Sequence, residues 1–130
     1  MYLNRLTIMG FLGNDAEKKT TASGKTCTVF SLATDTSWKD GEGKWQHITD
    51  WHRVVVWGDK FAESAARLTK GAHVLVEGSL RSREYERDGA RHRVWECKAD
   101  SIVKLDRAQR ADDSAVDDQQ SARQEEEAPL

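Results

Sequence analysis

Aromatic residues stand beside Lys and Arg residues in three stretches of this 130-residue chain. Trp38 and Trp45 bracket a segment rich in charged residues and glycine. Trp51 and Trp57 lie in an apolar run that contains Arg53. The third stretch places Tyr85 among the arginines Arg81, Arg83, Arg87, Arg91 and Arg93. Cations neutralise phosphates and flat rings stack on unpaired bases, so the pattern favours binding of a single-stranded nucleic acid.

The sequence lacks the motifs of common enzyme active sites. It has no HExxH, Walker A, GxSxG or dinucleotide-binding motif, and residues 41–44 lack the spacing of a phosphate-binding loop. His47, Asp50 and His52 are close in sequence, but alternation along a strand would point His47 away from the other two. We therefore expect no catalysis, no bound metal and no cofactor.

The charge of the chain divides near residue 105. Residues 1–105 contain 17 Lys and Arg against 14 Asp and Glu, a net charge of +3. Residues 106–130 contain 3 Arg against 8 acidic residues, a net charge of −5. A basic body with an acidic tail is typical of proteins that bind polyanions.

Cysteine usage and hydropathy indicate where in the cell the protein is located. Cys27 and Cys97 are isolated within strand-like stretches, so we expect buried thiols rather than metal ligands or a disulfide framework. No run of about 18 apolar residues occurs, and residues 1–5 do not resemble a signal peptide. These features predict a cytoplasmic protein without membrane contact.

Period-two alternation predicts three strands in the first half of the chain. The first covers residues 6–12, and the second places Thr28, Phe30 and Leu32 on one face. Residues 18–25 are predicted to form a turn, and residues 38–45 a mobile loop. The third strand covers about residues 46–57. Its two faces are Trp51, Arg53, Val55 and Trp57 on one side, and His52, Val54 and Val56 on the other.

Two interpretations of the tryptophans are open from these patterns. Val54 and Val56 already supply an apolar face, which favours a binding role for Trp51 and Trp57 on the opposite face; the alternative is that these rings belong to the core. Trp95 shares the parity of Cys97 and is predicted to pack inward. The arginine-rich stretch around Tyr85 could likewise be a solvated arm without a partner.

The second half predicts a helix and a hairpin. A helix is expected over residues 59–68, with Asp59 as N-cap and Gly71 beyond its end. The Asp88-Gly89 dipeptide predicts a tight turn between strands at residues 72–87 and 91–105, a long basic hairpin. Three strands, a helix and two strands predict an all-β domain over residues 1–105, a five-stranded OB-fold barrel. Residues 106–130 are expected to be a disordered acidic tail.

Several segments resemble the bacterial single-stranded DNA-binding protein family, which phages and mitochondria also carry. They are NRLTIMGFL (4–12), VFSLAT (29–34), DWHRVVVWG (50–58), EGSLRSR (77–83) and, more weakly, ECKAD (96–100). The resemblance implies a homotetramer around which DNA wraps, with His52 at a subunit contact. It implies stacking of bases on Trp38, Trp51, Trp57 and Tyr85. The cations assigned to DNA binding are Arg5, Arg53, Arg81 and Arg83.

The end of the chain is similar to the family's C-terminal tip, in which several Asp residues precede an apolar residue, Pro and Phe. The residues here are Glu125, Glu126, Glu127, Ala128, Pro129 and Leu130, so Leu replaces the usual Phe. The resemblance implies recruitment of replication and repair proteins through this tip. The predicted function is sequence-tolerant binding and protection of single-stranded DNA in replication, repair and recombination. The alternative is an adaptor whose barrel binds RNA or proteins.

Overall fold

The structure, a computed structural model, describes residues 1–105. These residues form six strands and one helix. In chain order they are β1 (Leu6–Leu12), β2 (Glu17–Thr20), β3 (Thr26–Lys39), β4 (Trp45–Trp57), α1 (Asp59–Ala65), β5 (His73–Arg87) and β6 (Ala90–Lys104). The tail predicted for residues 106–130 lies outside the described residues. No helix within residues 1–105 is long and apolar enough to cross a membrane.

Five of the strands close into a barrel. Hydrogen bonding follows the order β1, β5, β6, β4, β3, and β1 returns to β3 through Phe11 opposite Ala33 and Leu12 opposite Leu32. Gly10 stands beside this closure, where a Cβ atom would overlap the carbonyl oxygen of Ala33. With α1 between the third and fourth barrel strands, this is the predicted OB topology. The all-β barrel with one short helix is therefore confirmed.

The core fills the barrel with side chains from alternate positions of the strands. Its largest fully buried apolar members are Phe30, Leu32, Val54, Val56, Val74 and Val76. The Thr28 hydroxyl, also buried, donates a hydrogen bond of 2.6 Å to the carbonyl of Ala62 and so ties α1 to the barrel. The alternation predicted for the second and third barrel strands is confirmed.

Both cysteines are buried and unpaired, as predicted. Cys97 lies in the barrel core, and Cys27 packs with Val29 and Val55 in a small cluster on the outer side of the sheet. Burial, with a smaller contribution from Asp100, raises the pKa of the Cys97 thiol. A thiol kept protonated in this way is a poor nucleophile.

Three local predictions were wrong. The turn expected over residues 18–25 includes β2, which pairs with β3 outside the closed barrel; its four residues are all exposed, so no apolar alternation marks it. The helix ends at Ala65 rather than near residue 68. Its N-cap is Gly58, with a φ of 103°, because α1 begins directly after β4 and a left-handed residue makes the change of direction.

The loop predicted over residues 38–45 is shorter than expected, because Trp38, Lys39 and Trp45 belong to strands. β3 and β4 remain in register from Cys27 opposite Trp57 to Lys39 opposite Trp45, and only residues 40–44 form the connection. Two long strands paired in this way project beyond the barrel as an arm. We call residues 34–50 the β3–β4 arm. Trp38 and Trp45 lie on its strands rather than in a loop.

The second hairpin has the predicted turn. Asp88 and Gly89 both have positive φ, 55° and 78°, as a two-residue primed turn requires. The prediction that Trp95 packs inward is wrong, because the residue is 56% exposed. It shares the face of the buried Cys97, but the described pairing of β4 with β6 is confined to Cys97 and Lys98. Trp95 lies past that point, where the hairpin has left the barrel.

Candidate nucleic-acid interface

One outer face of the barrel collects most of the predicted binding residues. Across β4, β6 and β5 the register places Val55 beside Lys98, and Arg81 opposite Glu96. Alternation from these positions identifies the side chains that share this face. They are Trp51, Arg53, Trp57, Arg81, Arg83 and Tyr85, which we call the aromatic–cationic face.

The Trp51 ring packs against the protein on one side and is open to solvent on the other. The residue is 60% exposed, and it lies opposite Ala33 in the β3–β4 register. A Cβ atom on Gly13 would overlap the six-membered part of the Trp51 ring. The ring therefore packs closely over backbone at Gly13 while much of its surface remains in water. A flat ring positioned in this way is suited to stacking against a base.

Trp57 lines an open groove of about 770 Å³ at the end of β4. The residue is 37% exposed. The charged residues that line the groove are Lys25, Arg81, Arg83 and Lys98, together with the acidic Asp59 and Glu96. Four cations against two carboxylates favour an anionic ligand. Lys25 and Lys98 were not predicted. The alternation of Glu96 and Lys98 with the apolar Cys97 and Ala99 on β6 is the signal that could have identified Lys98.

Glu96 joins the two arginines of the face. Its carboxylate accepts a hydrogen bond from Nε of Arg53 at 3.0 Å and from Nε of Arg83 at 3.3 Å. The Glu96 side chain is only 11% exposed, whereas both arginines are partly open to water. The carboxylate on β6 therefore orients one guanidinium from β4 and another from β5. We call these three residues the Glu96 junction.

The arginine-rich hairpin divides its cations between two faces. On the aromatic–cationic face, Tyr85 stacks on His92 with ring centroids 5.3 Å apart, and Cζ of Arg83 lies 5.9 Å from the Tyr85 ring centroid. On the other face, Glu84 binds Arg93 at 2.6 Å and Arg91 at 3.5 Å. The five arginines that form one cluster in the sequence are therefore not one cluster in space.

Three predicted site residues lie away from this face. Trp38 is exposed, but the register puts it on the opposite face of the β3–β4 arm from Trp51. Arg5 is exposed just before β1. His52 is half-buried on the valine side of β4, and its Nε2 lies 2.9 Å from the hydroxyl oxygen of Thr34.

The structure also exposes an aromatic residue that was not assigned to the site. Trp45 is 53% exposed on the same side of β4 as Trp51. The amino group of Lys39 lies 5.6 Å from its ring centroid. Its even spacing from Trp51 is the signal in the sequence that could have identified it.

The topology and the aromatic–cationic face define the class of protein, an OB-fold barrel whose outer sheet surface is suited to ligand binding. Residues 3–105 match the model of the Single-strand binding protein family. The chain belongs to that family.

Curated relatives share this part of the chain. It is 44% identical over 85 residues to "Single-stranded DNA-binding protein 1" of Chlorobaculum tepidum, and this alignment covers 65% of this chain and 52% of that protein. It is 40% identical over 105 residues to the single-stranded DNA-binding protein of Xylella fastidiosa, which covers 79% and 63%, respectively. The alignments thus span less than two thirds of either relative.

Solved structures are similar over the barrel. The "Plasmodium falciparum SSB complex with ssDNA" has a TM-score of 0.73 and 29% identity, and the match covers 82% of this chain and 97% of that chain. A deletion mutant of the single-stranded DNA binding protein from Thermus aquaticus has a TM-score of 0.68 and 27% identity, with 80% and 51% covered.

The Glu96 junction predicts that two similar Glu→Gln substitutions lower the free energy of unfolding by different amounts. Glu96→Gln removes the charge shared by two guanidiniums at a largely buried position. We expect it to lower the free energy of unfolding by about 1–3 kcal/mol, towards the lower end because the arginines are partly hydrated. Glu84→Gln removes an exposed partner and should cost about 0.2–1 kcal/mol. Urea unfolding measures both, and equal losses would contradict the assigned role of Glu96.

Proposed function

We propose that this chain binds and protects single-stranded DNA without sequence preference, as a non-catalytic protein of replication, repair and recombination. The observation that carries the proposal is the exposure of Trp51 and Trp57 on the same face as Arg53, Arg81 and Arg83. The single-stranded DNA bound in the similar Plasmodium falciparum structure supports the same ligand here.

The rings and the cations of the aromatic–cationic face have different roles in binding. Trp51, Trp57 and Tyr85 stack on bases, and every base offers a flat π surface, so binding tolerates any sequence. The guanidiniums of the Glu96 junction and the groove cations neutralise phosphates, releasing counterions and making affinity fall as salt rises. Because Glu96 already orients Arg53 and Arg83, less side-chain entropy is lost when a phosphate arrives.

Trp38 and Arg5 are proposed as further DNA contacts outside this face. Trp38 would stack on a segment passing the other side of the β3–β4 arm, and Arg5 would bind a phosphate near the start of β1. Contacts on more than one side of a barrel suit a strand that wraps around an assembly.

We also propose that the chain forms a homotetramer. Met9 and Val103 are exposed on either side of Leu75 in one row across β1, β5 and β6. Within the described residues, β1 pairs with β3 only at Phe11 and Leu12, which leaves an edge along the first part of β1. Apolar patches and unpaired strand edges both favour association with another copy.

Residues 106–130 supply the second part of the proposal. They carry a net charge of −5, and residues 125–130 combine three acids with Pro129 and Leu130. We propose that these last residues recruit replication and repair proteins, the acids meeting basic pockets and Leu130 an apolar one. The proposed site of action is the nucleoid, in the cytoplasm.

Trp51→Ala and Trp57→Ala should each weaken oligo-dT binding by about 1–3 kcal/mol, the usual contribution of one stacked base. Anisotropy of a labelled oligonucleotide measures affinity, and circular dichroism checks the fold. Trp95→Ala is the matched control, because Trp95 is about as exposed as Trp51 but lies on another face. A comparable loss in the control, or none in Trp51→Ala, would show that the wrong face was chosen.

His52→Ala should weaken assembly, because we propose this half-buried side chain as a subunit contact. Sedimentation velocity over a dilution series should show smaller species than the wild type at low concentration. His47→Ala is the control, since His47 points to the opposite side of β4. A wild-type protein that is monomeric at micromolar concentration would rule out the tetramer itself.

Deletion of residues 106–130 should preserve DNA affinity or raise it slightly, with the larger effect at low salt, where an acidic segment competes best for the cations. The same deletion should abolish binding to a helicase or nuclease partner. A peptide of residues 121–130 should bind that partner, and more tightly with Leu130→Phe if the partner is built for the usual tip. Retained partner binding after deletion would refute this role.

A further inference from the structure

Strand β4 carries a tryptophan at every sixth residue: Trp45, Trp51 and Trp57. An even spacing keeps all three side chains on one side of the strand. The β3–β4 register runs without interruption from Cys27 opposite Trp57 to Lys39 opposite Trp45, so no bulge reverses the alternation between them. At about 3.3 Å per residue, successive rings are separated by about 20 Å along the strand.

The surroundings of Trp45 resemble those of the other two rings. Its side chain is 53% exposed, and Lys39 faces it across the ladder with Nζ 5.6 Å from the ring centroid. An exposed ring with a cation at its side offers one nucleotide both a stacking surface and a phosphate partner. Arg53 shares the strand face of Trp51, and Arg81 and Arg83 line the groove that contains Trp57.

The end of the β3–β4 arm holds Trp45 in a defined position. One carboxylate oxygen of Asp40 accepts hydrogen bonds of 2.9 Å from the backbone N–H groups of Glu42 and Lys44. The other accepts one of 2.9 Å from the side-chain amide of Gln46, next to Trp45. The Lys44 N–H, then Gln46 and the Glu42 N–H, lower the pKa of Asp40. A turn organised in this way reduces the entropy lost when the adjacent ring binds.

One group on the same side opposes binding between Trp45 and Trp51. Asp35 lies opposite Thr49, whose hydroxyl donates a hydrogen bond of 2.7 Å to its carboxylate. Its negative charge repels phosphates, so favourable charge is concentrated at Lys39 and again at Arg53. Binding along the arm is therefore expected at the rings rather than uniformly along the strand.

We propose that Trp45 and Lys39 form a third stacking position, which continues the DNA path of Trp57 and Trp51 along β4 to the end of the arm. The proposal rests on the proposed function and extends it by assigning the path of the bound strand along β4. Trp38, on the opposite face of the same arm, would contact a different segment of DNA.

The experiment compares a short and a long ligand on the full chain. Labelled oligo-dT of about 4 and about 16 nucleotides covers the range of site sizes for one OB fold. The short ligand can span one pair of neighbouring rings, and the groove cations beside Trp57 favour the pair Trp51 and Trp57 over the pair that has Asp35 between its rings. Only the long ligand can contact all three rings. We expect Trp45→Ala to weaken binding of the long ligand about 5- to 150-fold and to leave the short one unchanged.

Three variants separate stacking from other effects. Trp45→Phe should restore most of the affinity for the long ligand, because it keeps a flat ring. Lys39→Gln should lower the salt dependence of long-ligand binding only. Trp95→Ala is the matched control, an exposed tryptophan outside the arm, and should change neither affinity.

The outcomes distinguish this proposal from the function on which it rests. If Trp51→Ala weakens binding but Trp45→Ala leaves both ligands unaffected, the third position is wrong and the proposed function stands. The third position is also wrong if Trp45→Ala lowers the affinity for both ligands equally, whether or not the circular dichroism spectrum changes. A wild-type chain that binds neither ligand would overturn the proposed function and the third position together.

Discussion

The architecture depends on the closure of the sheet where β1 reaches both β5 and β3. Gly10 permits this approach, since any side chain there would meet the backbone of Ala33. Closure gives every barrel strand one face turned to a shared core, and Phe30, Val54 and Val76 fill it. The opposite faces do not contribute to this shared core, so aromatic and charged residues can occupy them without disrupting it.

The candidate interface continues from the barrel onto its two hairpins. Strands of 13 to 15 residues are longer than the barrel needs, and their outer parts project as paired arms. Side chains on paired strands have fixed spacing and direction, which positions rings and cations before any ligand arrives. The Glu96 junction adds a lateral constraint, because one largely buried carboxylate holds guanidiniums from the strands on either side.

The electrostatic balance of the face is moderate rather than extreme. Asp59 and Glu96 lie among the groove cations, and Asp35 lies along the β3–β4 arm. Carboxylates in these places limit non-specific attraction and leave the rings to contribute much of the binding free energy. This agrees with a net charge of only +3 for residues 1–105. A site of this kind depends on stacking geometry more than on total charge.

The sequence by itself determined the features that depend on local periodicity and backbone conformation. The inward valines of β4, the outward Trp51 and Arg53, and the Asp88-Gly89 turn all follow from alternation or from positive φ. Alternation reports which face a residue shares, but not whether another element covers that face. Tertiary structure alone decided that Trp95 lies beyond the barrel and is exposed, that Trp38 and Trp45 lie on paired strands, and that Glu96 joins two arginines. These features depend on strand length and register between distant segments, which no local pattern records.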